Sequence, residues 1–370
     1  MKKPLKFLVV AGARPNFMKV APLLKAFAAH NNQLTDDKPK FEWQLIHTGQ
    51  HYDAQMSDIF FAELGIPAPD VNLGVGSGSH AAQTAGVMLA FEPVCEMFRP
   101  DWVIVVGDVN SSLACTLVAA KMGIRVAHVE AGLRSFDRTM PEELNRLVTD
   151  ALADLLLTPS EDANENLRRE GIPASKIRLV GNIMIDSVVS HLSNGRDGSV
   201  LDELKIKNRG FIYVTLHRPS NVDRHETLGK IVGELSTIAK QWPVIFPIHP
   251  RTRASMKEFG LSFAKEGGVR LLDPIGYNDS LALTQHARCV LTDSGGLQEE
   301  STFFQTPCLT LRPNTERPIT VELGSNKLTR IETLRDDFEA CLQREERRGE
   351  IPPFWDGRTA DRIVQCLLAA

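Results

Sequence analysis

The strongest constraint on the fold is a series of short apolar segments, each stopping at a polar or turn-forming residue. KFLVVAG, WQLIHTG, WVIVVGD, RVAHVEAG, LLLTPS and IRLVGN fill the first half, and FIYVTLH, PVIFPIHP, VRLLD, CVLTDSG and PCLTL the second. Text of helical period lies between them, as in FMKVAPLLKAFAAH and SSLACTLVAAKMG. Continuously apolar strands alternating with helices specify parallel sheets covered on both faces, an α/β fold. The strands are too many for one ordinary sheet of this type, so two doubly wound halves are expected. VGNIMIDSVVSHLSNGRDGS passes from helix-like text into a polar loop, which sets the halves at about 1–185 and 186–350. The last helix, TADRIVQCLLAA in 351–370, fits against either half. Ligands of such sheets bind beyond the carboxyl ends of the strands. The residues just after each apolar run are therefore the functional candidates.

Composition narrows the classes. The chain has 370 residues, 43% of them apolar, which is enough for a large core and two domains. Its net charge is −4, and no basic patch of the kind that nucleic acid requires stands out. No stretch is apolar for long enough to span a membrane. MKKPLKFLVVAGARP opens like a secretion signal, but its apolar run ends at a turn without a cleavage site, so a buried first strand is expected. The six cysteines, at 95, 115, 289, 308, 341 and 366, are scattered and form no CxxC pair. They read as buried thiols in a reducing cytoplasm, not as a disulfide frame or zinc site.

In the first half, GARPNFMKV follows the first strand and opens the first helix. A glycine turn into a helix N-terminus offers N–H groups to an anion, and Arg14 and Lys19 add positive charge. The glycines do not match the dinucleotide pattern GxGxxG, and Lys19 is equally compatible with a helix surface. Asp108 follows WVIVVG and Glu130 follows RVAHV, each as a strand-end acid; Asp108 also suits an N-cap. HVEAGLRSFDRTMPEELNR carries Glu142 at a helix start marked by Pro141. It has a plain reading too, because Glu142 and Arg146 are spaced as a surface ion pair. If the strand ends converge, Asp108, Glu130 and Glu142 meet. Crowded carboxylates repel and raise at least one pKa, giving a proton acceptor and a proton donor near neutrality. Three acids also suit a divalent cation, but their separation and the nearby arginines weaken that use.

In the second half, YVTLHRPSN places His217 and Arg218 at a strand end, and PIHPRTR places His249, Arg251 and Arg253 at the next. Either histidine can be a satisfied cap. The adjacent cations fit phosphate recognition better than metal ligation. LTDSGGLQEES ends a strand at Asp293, turns through Ser294, Gly295 and Gly296, and starts a helix. Small residues at a helix N-terminus form a diphosphate cradle in type, with Glu300 one turn inside to hold ribose hydroxyls. A plain strand-to-helix turn is the alternative. Thr315, Glu316 and Arg317 follow the next strand and can close on the same ligand.

The order of these motifs, GARPNFMK, HTGQHYD, VVGDVNSS, HVEAGLRSFDRTMPEELNR, TLHRPSN, PIHPRTR, LTDSGGLQEE and PNTERP, resembles the non-hydrolysing UDP-N-acetylglucosamine 2-epimerases over about residues 6–330. The resemblance implies the glycosyltransferase-B architecture: two Rossmann-like halves, a ligand cleft between them and a C-terminal helix crossing back to the first half. It implies a homodimer acting on a UDP-sugar with neither metal nor NAD. The implied reaction inverts carbon 2 by eliminating UDP to an enzyme-held 2-acetamidoglucal and adding it back. By motif match, Asp108, Glu130 and Glu142 are the acid/base carboxylates, and Lys19 and His217 stand near the sugar and departing diphosphate. Arg14, Arg134, His249, Tyr277, Ser294, Gly295, Gly296, Glu300 and Arg317 form the implied substrate-binding set. Glu143 and Arg146 are left for structural pairing.

The resemblance has departures. Some members are activated by a second UDP-N-acetylglucosamine through an HREM-like motif and a basic-Gln pair. Gln50 and His51 stand here, but the basic-Gln pair is absent from VNLGVGSGSHAAQT. GVGSGSHAAQ is expected to be a mobile loop over the cleft. Rival readings are a 2-epimerase of UDP-2,3-diacetamido-glucuronic acid, the hydrolysing epimerase, a glycosyltransferase of the same architecture, and a non-catalytic UDP-sugar sensor.

Overall fold

The apolar runs become two separate parallel sheets. The computed structural model describes residues 2–12, 14–35, 37–49, 67–192, 199–264, 267–343 and 349–370. The first sheet has β1 (Leu5–Ala11), β2 (Phe41–His47), β3 (Val71–Asn72), β4 (Trp102–Val106), β5 (Arg125–Val129), β6 (Leu155–Thr158) and β7 (Ile177–Leu179), in the order β3-β2-β1-β4-β5-β6-β7. The second has β8 (Ile212–Thr215), β9 (Val244–Pro247), β10 (Val269–Leu272), β11 (Cys289–Thr292), β12 (Cys308–Leu311) and β13 (Asn326–Thr329), in the order β10-β9-β8-β11-β12-β13. Every pairing is parallel. This is the expected α/β architecture of two doubly wound sheets. The strands absent from the sequence reading are β3 and β13, both at sheet edges.

Burial explains why the runs are uninterrupted. In the second sheet, Ile212, Val214, Leu291 and Leu309 pack on one face, while Tyr213, Val290 and Cys308 pack on the other. Successive strand residues point to opposite faces, so a sheet covered twice needs apolar residues at every position. In the first sheet, Phe7 stacks with Phe27 and Phe41, with ring centroids 5.1 and 4.7 Å away. All three rings are buried, each contributing roughly 1.5–3 kcal/mol of apolar burial.

The helices that position functional side chains in the first unit are α1 (Arg14–Asn32), α2 (His80–Phe98), α3 (Asn110–Lys121) and α4 (Pro141–Leu152). The chain divides inside α5 (Ile183–Leu192): Met1–Ser187 and Pro353–Ala370 form one unit, and Val188–Pro352 the other. Within the first unit, the Asp186 carboxylate accepts from the Thr359 and Ala360 amides at 3.1 and 2.7 Å, capping the C-terminal helix Thr359–Ala369. The second unit contains α6 (Tyr277–His286) and α7 (Gly295–Phe303). No described helix is long and apolar enough to cross a membrane. Four cysteines are buried and Cys341 and Cys366 are only partly so, which corrects the uniform burial expected of them.

The text GVGSGSHAAQ is not all loop. Ser79 caps α2 by accepting from the Ala82 amide at 3.2 Å, and the helix starts at His80. Gln83 is buried and accepts from Asn110 at 2.9 Å. Only residues 74–79 remain outside the helix. Gln50 and His51 lie outside the described residues, as does the side chain of Arg14.

Candidate active site

Strand order reverses between β1 and β4 in the first sheet and between β8 and β11 in the second. At such switch points the strand ends splay apart and leave room for a ligand. Most of the candidate groups lie at or beside these two places.

In the first unit, α1 leaves β1 and carries Lys19 back to Glu130, which follows β5. Their side chains form an ion pair and are almost fully buried, 11% and 4% exposed. Glu130 adopts φ 70°, an uncommon conformation for a residue with a Cβ. Its Oε1 is buried and has no hydrogen-bond partner among the described residues. Gly107, with φ +67°, passes beside the pair; a Cβ there would lie 3.3 Å from Glu130 Oε2 and 3.4 Å from Lys19 Nζ. A close approach with positive φ requires glycine.

Asp108 follows Gly107 and is not a helix cap. Val109 takes the N-cap position of α3, and Asp108 pairs with Arg146 of α4. Asn145 donates to the Asp108 carbonyl at 2.8 Å. Pro141 does start α4, but the Glu142–Arg146 pair does not form. Arg146 turns instead to Glu143 at 2.7 Å and to Asp108. Glu143 also accepts from the Ser135 and Phe136 amides, both at 2.9 Å. Burial would raise its pKa, but these donors and Arg146 hold it below the usual carboxylate range. Glu142 is exposed, without a hydrogen-bond partner among the described residues, on the same side of α4 as Asn145 and Arg146. The repulsion expected among crowded acids is thus met by cations: Glu130 has Lys19, and Asp108 has Arg146.

Arg134 is a correction. Its guanidinium is buried and donates to Glu170 at 2.6 and 2.7 Å, to Asp150 at 2.7 Å and to the Leu133 carbonyl at 2.8 Å. It holds a loop together and is not available to a substrate.

In the second unit the centre is Asp293, which the sequence marks as a strand end but to which it assigns no site role. It is fully buried at the end of β11. It accepts from the His217 and Arg218 amides at 3.1 and 2.9 Å and from Asn221 at 3.0 Å, and its Oδ1 lies 3.0 Å from His217 Nδ1. Burial would raise its pKa, but His217, Asn221 and the amides outweigh it and hold Asp293 ionised. Its place before Ser-Gly-Gly, matching Asp108 before Val-Asn, was the available signal. His249 caps the helix Pro250–Glu258, accepting from the Arg251 amide at 3.2 Å. Burial and the neighbouring His217 lower its pKa. Arg251 and Arg253, both about half exposed, pair with Asp223 and Asp273 at 2.5 and 2.7 Å.

Helix α7 begins beside this centre. Ser294 makes no side-chain capping bond, and a Cβ at Gly296 would meet nothing within 4 Å. Its first-turn amides are thus approachable by an anion. Arg317 adds a cation: a Cβ on Gly295 would lie 2.9 Å from its Nη1. Arg317 is anchored by Glu316 and by Glu299, the latter at 2.8 Å. Glu316 stays ionised because Arg317 and Arg312 outweigh its burial and hold its pKa well below the usual range. Thr315 is bonded to Gln298 at 2.7 Å, while Arg317 and its partner Glu316 both stand at the helix end, 2.9 and 3.1 Å from where a Cβ on Gly295 would lie. Further along α7, Glu300 is buried and its pKa is pushed up to about 8, chiefly by desolvation. The Tyr277 hydroxyl is buried and lies near Glu300 without a hydrogen bond of ordinary geometry.

Two doubly wound units with paired acids and cations at one switch point and an anion-receptive helix end at the other are the glycosyltransferase-B architecture. The UDP-N-acetylglucosamine 2-epimerase family model matches residues 33–368. The UDP-N-acetylglucosamine 2-epimerase of Methanocaldococcus jannaschii is 41% identical over 373 residues, covering 98% of this chain and 99% of that one. A solved structure of the M. jannaschii enzyme, in complex with UDP-GlcNAc and UDP, superposes with a TM-score of 0.88 over 99% of this chain and 100% of that one. The UDP-2,3-diacetamido-2,3-dideoxy-D-glucuronate 2-epimerase of Pseudomonas aeruginosa is 40% identical over 372 residues, covering 98% and 99%. The chain belongs to the UDP-N-acetylglucosamine 2-epimerase family and is an isomerase.

Proposed function

We propose that this chain interconverts UDP-N-acetylglucosamine and UDP-N-acetylmannosamine without net hydrolysis. The observation that carries the proposal is the set of Asp108 and Glu130 just after two strands and Glu142 in the first turn of α4, with Lys19 and Arg146 neutralising two of the three. Inversion at carbon 2 needs a base on one face and an acid on the other, hence at least two carboxyls. One carboxylate takes the carbon-2 proton, the carbon-1 to oxygen bond breaks, and the electron pair leaves with UDP, giving 2-acetamidoglucal. A carboxylic acid then delivers a proton to the opposite face of carbon 2 as UDP adds back to carbon 1. Negative charge develops on the departing diphosphate, and fixed dipoles and cations stabilise it. The α7 N-terminus, Arg317 and His217 are the groups assigned to that task, with Asp293 orienting His217. Glu300 and Tyr277 are assigned to the nucleoside.

The glucuronate 2-epimerase is the second reading, because the P. aeruginosa relative is nearly as similar as the M. jannaschii one. Proton NMR in D2O with each UDP-sugar separates the readings. The expected result is deuterium at carbon 2 and UDP-N-acetylmannosamine at equilibrium, with little free UDP. Accumulating free N-acetylmannosamine and UDP would mean a hydrolysing enzyme. Exchange only with the diacetamido-glucuronate would move the assignment to that sugar.

The same reading includes a homodimer. Leu144, Val148 and Leu152 form an exposed i, i+4, i+8 stripe on α4, and Leu89 and Met97 stand 75% and 82% exposed on α2. Exposed apolar residues on α2 and α4, the two helices that pack on either side of α3, favour a partner surface. Light scattering should give twice the 41.0 kDa chain mass, and a mass of 41.0 kDa would remove the dimer.

A further inference from the structure

The three candidate carboxylates sit on three different segments, and one buried side-chain pair touches all of them. His128 of β5 is 0% exposed, and Asp150 of α4 is 1% exposed. His128 Nδ1 lies 2.6 Å from Asp150 Oδ1, and its Nε2 lies 3.1 Å from the Gly107 carbonyl. The other Asp150 oxygen accepts from the Gly132 amide at 3.0 Å and from Arg134. Gly107 immediately precedes Asp108. His128 and Gly132 flank Glu130 two residues to either side. Asp150 lies on the helix that carries Glu142.

The donor count fixes how the ring works. A carbonyl only accepts, so Nε2 must carry a proton to bond Gly107. On the other side of the ring, Nδ1 faces the Asp150 carboxylate, whose pKa is held below its usual value by His128 and Arg134 against the effect of burial. The Gly107 amide is itself bonded to the Val129 carbonyl at 3.0 Å, so with His128 the Gly107 backbone is held at both its N–H and its C=O. That glycine packs beside the Lys19–Glu130 pair, where a shift of its carbonyl moves Asp108 directly.

We propose that His128 is a positioning residue for the reaction, acting through its Nε2–H bond to the Gly107 carbonyl to fix Asp108 relative to Glu130. The proposal rests on the epimerase reading of this site. Misplacing a catalytic group by about an ångström costs up to roughly 10²-fold in rate.

Asparagine and glutamine divide the ring's two contacts. His128→Asn keeps a donor near the Nδ1 position, toward Asp150, and loses the Gly107 bond. His128→Gln keeps a donor near the Nε2 position, toward Gly107, and loses the Asp150 bond. Each removes one buried hydrogen bond, so a purely structural role would lower stability and activity alike in both. The expected result is a kcat loss of about 10- to 100-fold in His128→Asn with KM nearly unchanged, and a much smaller loss in His128→Gln. Wild-type kcat in His128→Asn, or equal losses in both variants, would overturn the proposal. Nitrogen-15 NMR of the wild-type protein, labelled at histidine, covers the case in which a variant does not fold. A proton on Nε2 of His128 is expected, and a bare Nε2 overturns the proposal. A wild-type chain that never exchanges the carbon-2 proton sinks the epimerase reading itself, which is read without any variant.

Discussion

Replacing Glu142 by glutamine is expected to leave stability unchanged and to lower turnover by about two to four orders of magnitude. The position separates chemistry from folding because Glu142 is exposed on α4 and makes no hydrogen bond among the described residues. Surface substitutions of this kind usually change stability by less than about 0.5 kcal/mol. Its helix is nevertheless fixed to the strand ends three and four residues on, through Asn145 and Arg146, which both reach Asp108. A carboxyl held at that point has no structural task and is free to exchange a proton. Glu130 gives no such separation. Glu130→Gln leaves the Lys19 ammonium buried without its counter-charge, and breaking a buried pair in this way costs on the order of 3–5 kcal/mol. Asp108→Asn is intermediate, since Arg146 retains Glu143. Thermal melts of Glu142→Gln, together with carbon-2 deuterium exchange, check the expectation. An unchanged melt with wild-type turnover would take Glu142 out of the mechanism.

The same residues mark what a sequence exposes and what it hides. Strands buried on both faces are legible because every position must be apolar, as in WVIVV and RVAHV. β3, only two residues long, and β13, with the text NKLT, lie at edges where one side of the ladder is open and that demand lapses. Strand-end positions are legible through topology, which brings Asp108, Glu130, His217 and Asp293 to the switch points. Which cation meets which acid is not legible. Local spacing suggested Glu142 with Arg146, yet Arg146 takes Asp108, which lies 38 residues away. Lys19 and Glu130 are 111 residues apart, and no periodicity announces them. The resemblance implies Arg134 as a substrate-binding group, and only burial reveals that its donors are already used by Asp150 and Glu170. His128 read as one more residue of an apolar strand, because nothing in RVAHVEAG shows that both ring nitrogens face acceptors.

Stability should fall between about pH 4.5 and 8 through Glu300, and Glu300→Gln should remove that component. Desolvation dominates at Glu300; the Tyr277 hydroxyl opposes it and the charge of Glu299 adds to it, giving a folded-state pKa of about 8. In the unfolded chain the carboxyl titrates near its ordinary 4.5. Between those values the folded state holds a proton that the unfolded state has released, so the slope of stability against pH is negative. The contribution is greatest below about pH 4.5, declines through the window and is flat above about pH 8. A shift of that size corresponds to roughly 5 kcal/mol across the window, at about 1.4 kcal/mol per pH unit. Denaturant unfolding of the wild-type protein and Glu300→Gln at several pH values isolates it, because other titrating groups cancel in the difference. Parallel curves would mean that Glu300 ionises normally. The same proton bears on the ligand. On the proposed assignment of Glu300 to the ribose, hydroxyls that donate to it favour the carboxylate, so nucleotide binding near pH 7 should release a proton, and affinity should rise with pH up to about 8.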